Sequence, residues 1–298
     1  MNPAILLGWV EAIRVLELQL STRPPEQMFP ELEPTVWQTH APWLAPHHWD
    51  PASGLLRSSM QTWILRTGGR TVLVDTGVGN HKSRPGSPAF DHLDTGFLEA
   101  LRAAGVTPED VTDVVNTHLH ADHVGWNTRL EGDGWVPTFP NATYLVAAAD
   151  YAFWHPDAPP RQRTAAANEN VFADSVLPIE RAGLLRRWDG GHRIDGGLSL
   201  ELAPGHTPGS AVLMVESGSD RAVFVGDLLH NPVQFVEPGL NSCFCEDPAE
   251  ARATRRRVLE WAADNRALVF PAHVGGGLAA EISRSGSKFA ITNWKFPA

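Results

Sequence analysis

Short apolar runs alternate along this chain with clusters of Gly, Pro and polar residues, the rhythm of strands and turns, and helical spacing replaces it in a few places. In QTWILRTGGRTVLVDTG two strand-like runs flank Gly68 and Gly69, a hairpin pattern, and the second run stops at Asp75. Leu93, Phe97, Leu101 and Ala104 then fall on one helical face, with Gly105 as the stop. Thr107 stands where it can cap a short helix opening at Pro108, and DVVNT reads as a buried strand running straight into His118. At the N-terminus, MNPAILLGWVEAIRVLEL predicts two short strands; Glu11 and Arg14 interrupt its apolar run and it lacks the basic start of a signal peptide.

The same grammar recurs downstream. LSLELAPGH is a strand ending at His206, AVLMV turns through ESGSDR into AVFVGD ending at Asp227, and ALVFPAH ends at His273. Asp247, Pro248 and Glu250 open a helix whose inner face holds Ala251, Val258 and Ala262. Four strand-like segments thus each deliver a His or Asp at their C-terminal end. In a layered α/β fold such ends share one rim, where functional loops collect. STRPPEQMFPELEP and HKSRPGSPAF read as surface loops, and HPDAPPRQRTAAANENVF as a cap over the site or a surface insertion. The expected organisation is one domain over residues 1–298, with loop or cap segments near 81–96 and 155–175.

Composition narrows the class. At 298 residues with 43% hydrophobic and 19% charged content, the chain can bury a sizeable core, and it has no run apolar enough to cross a bilayer. A net charge of −10 argues against a surface that tracks phosphates, so neither nucleic acid nor membrane is expected as a partner. The one basic cluster, Arg252, Arg255, Arg256 and Arg257, reads as a solvated helix face. Cys243 and Cys245 lie too close in sequence for an unstrained disulfide, and reduced thiols fit a cytoplasmic protein. A small molecule is the expected partner, and a homodimer is left open.

The densest chemistry lies in THLHADHVG, where His118, His120, Asp122 and His123 crowd a single loop. His118 and His120 alternate on one face of an extended segment, while Asp122 and His123 sit on the following turn, so one loop can feed two adjacent metal positions. Imidazole and carboxylate suit zinc, and iron or manganese less decisively. Together with VDTG at 74–77, PGHTPGS at 204–210, GD at 226–227 and PAH at 271–273, in that order, this pattern resembles the metallo-β-lactamase superfamily from about Trp63 to His273. The resemblance is nearest the quorum-quenching lactonase and organophosphate-hydrolase-like branch.

That resemblance implies a four-layer αββα sandwich with two Zn2+ at one edge. It implies His118, His120 and His206 on one metal, Asp122, His123 and His273 on the other, and Asp227 bridging them. Asp75 is expected to orient a ligand by hydrogen bonding rather than to bind metal. Two metals roughly 3.5 to 4 Å apart can hold a bridging hydroxide as nucleophile and polarise a substrate oxygen, so hydrolysis is the expected reaction. Asp122 and Asp227 are the expected catalytic carboxylates, Asp122 with a second possible task as proton shuttle.

A lactone or ester with an apolar portion is the leading substrate, a phosphotriester the alternative, and an iron-dependent oxidoreductase the alternative of another class. The related lactonases usually carry a tyrosine three residues after the bridging aspartate. Here that position is His230, a candidate substrate contact or a packing residue. Trp126, three residues past His123, is the expected aromatic wall of the pocket, with Trp49, Phe153 and Trp154 as further candidates.

Overall fold

A computed structural model describes residues 4–159 and 168–296. In the first sheet, Ala4–Leu7 pairs with Val10–Ser21, which pairs in turn with Leu55–Thr67 and then Arg70–Val74. The order continues through three parallel neighbours, Asp113–Val115, Thr143–Ala147 and Leu185–Trp188. The second sheet follows chain order from Gly191–Arg193 to Lys288–Lys295, and within it Asp220–Phe224 and Leu268–Phe270 run parallel.

Strand periodicity explains the layering. Trp63, Leu65, Val72 and Val74 point from the first sheet into a core shared with Leu213, Val215, Ala222 and Phe224 of the second. Their neighbours Ile64 and Leu73 point the other way, onto Phe97 and Leu101 of the helix Phe97–Ala103. On the far side, Val212, Met214 and Val223 meet Val258, Leu259 and Ala262 of the helix Pro248–Asn265. Sheets buried on both faces carry continuous apolar runs. The layer order is therefore αββα, as expected.

Both N-terminal strands form, the second reaching Ser21. Thr107 and Asp110 make a capping box at the 3₁₀ turn Pro108–Asp110, and Asp247 accepts from Ala249 and Glu250 N–H at the long helix. Three readings are corrected. The helix expected from Leu93 starts at Phe97, because His81 N–H donates to Leu93 O and His92 N–H to Lys82 O, which holds that stretch in a loop ladder. STRPPEQMFPELEP is no plain surface loop: it folds into the turn Pro25–Met28 and buries Met28, Phe29 and Leu32.

The third correction concerns charge. Lys82 and Arg84 of HKSRPGSPAF are fully buried. Arg84 makes two hydrogen bonds to Asp174, of 2.6 and 2.9 Å, and Lys82 Nζ lies 3.5 Å from the same carboxylate. This joins the 81–96 segment to the described part of the second cap segment; residues 160–167 of that expected cap lie outside the described residues.

Candidate metal centre

The rim prediction holds as geometry. Asp113–Val115, Leu198–Leu202, Asp220–Phe224 and Leu268–Phe270 each end a few residues before His118, His206, Asp227 and His273. Two groups of side chains converge there: His118, His120, His206 and Asp227, and beside them Asp122, His123 and His273. His118 Nε2 lies 3.0 Å from His120 Nδ1, which lies 3.0 Å from His206 Nε2. Asp227 stands between the groups, Oδ2 at 3.3 Å from His206 Nε2 and Oδ1 at 3.2 Å from His123 Nε2 and 2.8 Å from His273 Nε2. Asp122 faces His123 at 3.8 Å and His273 at 3.6 Å.

The hydrogen bonds behind the rings fix which nitrogens face inward. Asp75 accepts from Thr117 N–H at 2.7 Å, Thr117 Oγ1–H at 2.8 Å and His123 Nδ1 at 2.8 Å. The Thr117 hydroxyl proton being committed, its oxygen accepts from His118 Nδ1 at 3.1 Å. His273 Nδ1 donates to Ser59 O at 3.1 Å. In the neutral rings, His118, His123 and His273 therefore all present Nε2 lone pairs to the centre. His123 Nε2 and Asp227 Oδ1 are buried without a hydrogen bond. A single proton on His120 Nδ1 serves its two neighbours poorly, whereas one cation among three lone pairs and a carboxylate satisfies all of them. The donor set fits two cations of the zinc, iron or manganese type.

Electrostatics divide the rings: His118 and His120 are lowered, while His123, His206 and His273 are raised. Burial holds His118 and His120 well below the usual imidazole range, hence neutral and ligand-ready. Burial penalises a charged Asp227, but His273, His123, His230 and His118 outweigh it and keep that carboxyl well below its ordinary value. For His123 burial opposes charge, and Asp227, Asp75 and Asp122 together raise it well above the ordinary value. Charge of both signs is concentrated at this edge.

Asp75 makes the hydrogen bond to a candidate ligand, His123, that the sequence led one to expect. It adopts φ 56°, a left-handed conformation unusual for a residue with a Cβ. The glycine-rich turn after it is clasped by Glu17, which accepts from Val78 and Gly79 N–H. Replacing Asp75 with Asn removes an acceptor from His123 Nδ1, so affinity for the metal at the His123 group should fall about 10-fold to 100-fold. Competition with a chromophoric zinc chelator measures this, and wild-type affinity would reduce Asp75 to a packing role.

Some supports were not legible in the sequence. Asp150 accepts from Leu119 N–H at 2.7 Å and Gly209 N–H at 3.0 Å, tying the loops of His120 and His206 together. In AAADYAFW it looks like any polar helix position. Arg255, expected on a solvated face, is buried: it donates to Leu228 O at 2.8 Å and Pro238 O at 2.9 Å, pinning the turn that carries Asp227. Its three arginine neighbours remain on the surface side as expected, each only partly buried or exposed.

A cavity of about 400 Å³ opens onto the cluster, with His120, Asp122, Asp227, His230 and His273 in its wall. His230 Nε2 lies 3.2 Å from Asp227 Oδ2, and burial lowers its imidazole to about 4. Trp126 is corrected: it lies outside that wall, stacked on Phe97 at 5.2 Å with Nε1 donating to Glu17 at 2.7 Å, part of the core under the first sheet. Trp49, Phe153 and Trp154 also pack in apolar clusters, although the Trp154 ring meets the edge of His120 at 5.3 Å. The apolar wall is made by Leu20, Met28, Met60, Phe90 and Phe244.

The αββα sandwich carries at its edge two adjoining His/Asp clusters that could each hold a metal ion. Residues 59–273 match the metallo-beta-lactamase superfamily, and the chain belongs to that superfamily. An N-acyl homoserine lactonase of Bacillus cereus is 25% identical over 57% of this chain and 64% of its own length, so the chain spans less than two thirds of that relative. An N-acyl homoserine lactonase of Bacillus thuringiensis is 24% identical over 74% of this chain and 82% of its own. Among solved structures, the dizinc quorum-quenching lactonase AidC, in complex with a product, superposes with TM-score 0.78 at 22% identity, covering 99% of this chain and 98% of that one. The chain thus has the metallo-beta-lactamase fold, with a His/Asp cluster able to hold metal at its edge.

Proposed function

We propose that the protein is a dinuclear zinc-dependent hydrolase of lactones or esters with an apolar portion. One observation supports this above all: Asp227 turns one carboxylate oxygen to each ligand group, at the base of a cavity with an apolar wall. His118, His120 and His206 would hold one metal, Asp122, His123 and His273 the other, with Asp227 between. Bound there, the metals supply a low-pKa water and a Lewis acid for the substrate oxygen.

The chain's own groups do the rest. Asp122 borders the cavity and faces the second group, placing its carboxylate to take the proton of the attacking water and return it to the leaving group. Leu20, Met28, Met60 and Phe244 desolvate the apolar part of the substrate and exclude bulk water. The lactonase relatives favour a lactone. A panel of lactones, aryl esters and aryl phosphotriesters, assayed with zinc-loaded protein, tests this directly: turnover confined to phosphotriesters moves the reading to the alternative. No helix among the described residues is long and apolar enough to cross a membrane.

His230 sits on the cavity wall beside Asp227, where its ring can donate to the substrate or to the developing oxyanion. His230→Ala is therefore expected to lower kcat/KM by about 10-fold to 1000-fold with both metals retained. Lost thermal stability with normal kinetics would make it a packing residue. His230→Tyr should shift selectivity toward lactones.

A further inference from the structure

We infer that Arg23 recognises a carboxylate at the end of the substrate remote from the bond being cleaved, so that the natural substrate is an anionic ester or lactone. This rests on the hydrolase reading above and names the class of molecule it acts on. Arg23 is the only Lys or Arg among the described residues lining the metal cavity. No carboxylate lies within ion-pair distance of its guanidinium among the described residues, unlike Arg66, Arg70 and Arg84, which pair with Glu11, Asp113 and Asp174.

Its position is built rather than loose. The guanidinium lies over the Phe244 ring at 4.6 Å, and Nη1 donates to Cys243 Sγ at 3.2 Å. Main-chain bonds on either side, Thr22 N–H to Leu56 O and Leu56 N–H to Arg23 O, fasten the segment to the first sheet. Stacking and a single sulfur acceptor leave most of its five N–H donors free for a ligand, and a planar fork matches a carboxylate in two parallel bonds.

Direction follows from the neighbours. Phe244 lies 6.1 Å from the His230 ring, and His230 Nε2 is 3.2 Å from Asp227. The path from the cluster to the guanidinium therefore runs along an aromatic surface, with Met28 and Met60 also in the cavity wall. A substrate that spans it needs a scissile carbonyl at one end, an apolar spacer, and an acceptor at the other. The acidic lining residues Asp122 and Asp227 both belong to the metal cluster, so neither offers Arg23 a counter-charge. An anionic substrate supplies it.

The test compares monophenyl esters of dicarboxylic acids, from succinate to suberate, with phenyl alkanoates of equal length, using full-length zinc-loaded protein. Wild type should prefer the carboxylate ester at one spacer length, and Arg23→Met should reduce that preference ratio by about 10-fold to 100-fold. Arg23→Lys should restore part of it. A preference ratio unchanged in Arg23→Met, or no carboxylate preference in wild type at any length, overturns the inference. Calorimetric binding of suberate to wild type and Arg23→Met provides a readout independent of turnover. Weaker binding to the variant supports the carboxylate site even if no ester is cleaved, and equal binding contradicts it. The phenyl alkanoates alone report whether the hydrolase reading stands.

Discussion

Asp227→Asn loses the pair of metals and lowers kcat/KM by about 1000-fold or more, the scale expected when the electrophile and nucleophile of a two-metal site are both compromised. The reason lies in the carboxylate's place between the clusters, 3.3 Å from His206 Nε2 on one side and 2.8 Å from His273 Nε2 on the other. An amide is neutral and offers one acceptor oxygen, so it cannot balance two dications or address both at once. Its NH₂ group would also turn toward a histidine lone pair that would otherwise be free for a metal. Metal content and turnover should be measured on the same sample. Two tightly held metals with near wild-type rates would remove Asp227 from the bridging role.

The second large effect is on stability and lies away from the cluster. Asp174→Leu should destabilise the protein by about 3 to 5 kcal/mol, because it leaves Arg84 buried without its partner. Asp174 accepts both Arg84 bonds and faces Lys82 as well, and both cations have no measurable exposure. Burial already depresses the Lys82 ammonium to about 7, with Asp174 opposing that shift. The double variant Arg84→Leu with Asp174→Leu removes that pair together and should regain most of the loss, because Lys82, already lowered to about 7, can shed its proton and keep its bonds to Thr128 Oγ1 and the main-chain Asp174 O. Denaturant melts of the single and double variants measure it. A single variant within about 1 kcal/mol of wild type would show the cations to be solvated by other groups.

What the sequence could and could not reveal follows from the range of each signal. His120, Asp122 and His123 were legible as one crowded loop, and His118, His206, Asp227 and His273 because each follows a short apolar run, a local pattern. Asp75 was legible for the same reason, standing at the end of VLVD. Trp126 was misread because nearness in sequence to His123 says nothing of ring direction: the turn at Gly125 sends the indole under the sheet to Phe97 and Glu17. Lys82, Arg84 and Arg255 were read as surface because their partners lie far along the chain, Asp174 for the first two and Leu228 and Pro238 for the third. Composition treats such residues as solvated until the partner is known. Arg23 and Met28 joined the cavity wall from a stretch that its prolines made look like open loop.

The central claim is that these seven side chains hold two metals that act together in hydrolysis. Titrating metal-free protein with Zn2+ while following lactone or aryl-ester hydrolysis tests it most directly. Two equivalents should bind per chain, with activity rising as the second site fills. Saturation at one equivalent, or full activity only with stoichiometric iron accompanied by oxygen uptake, would contradict it.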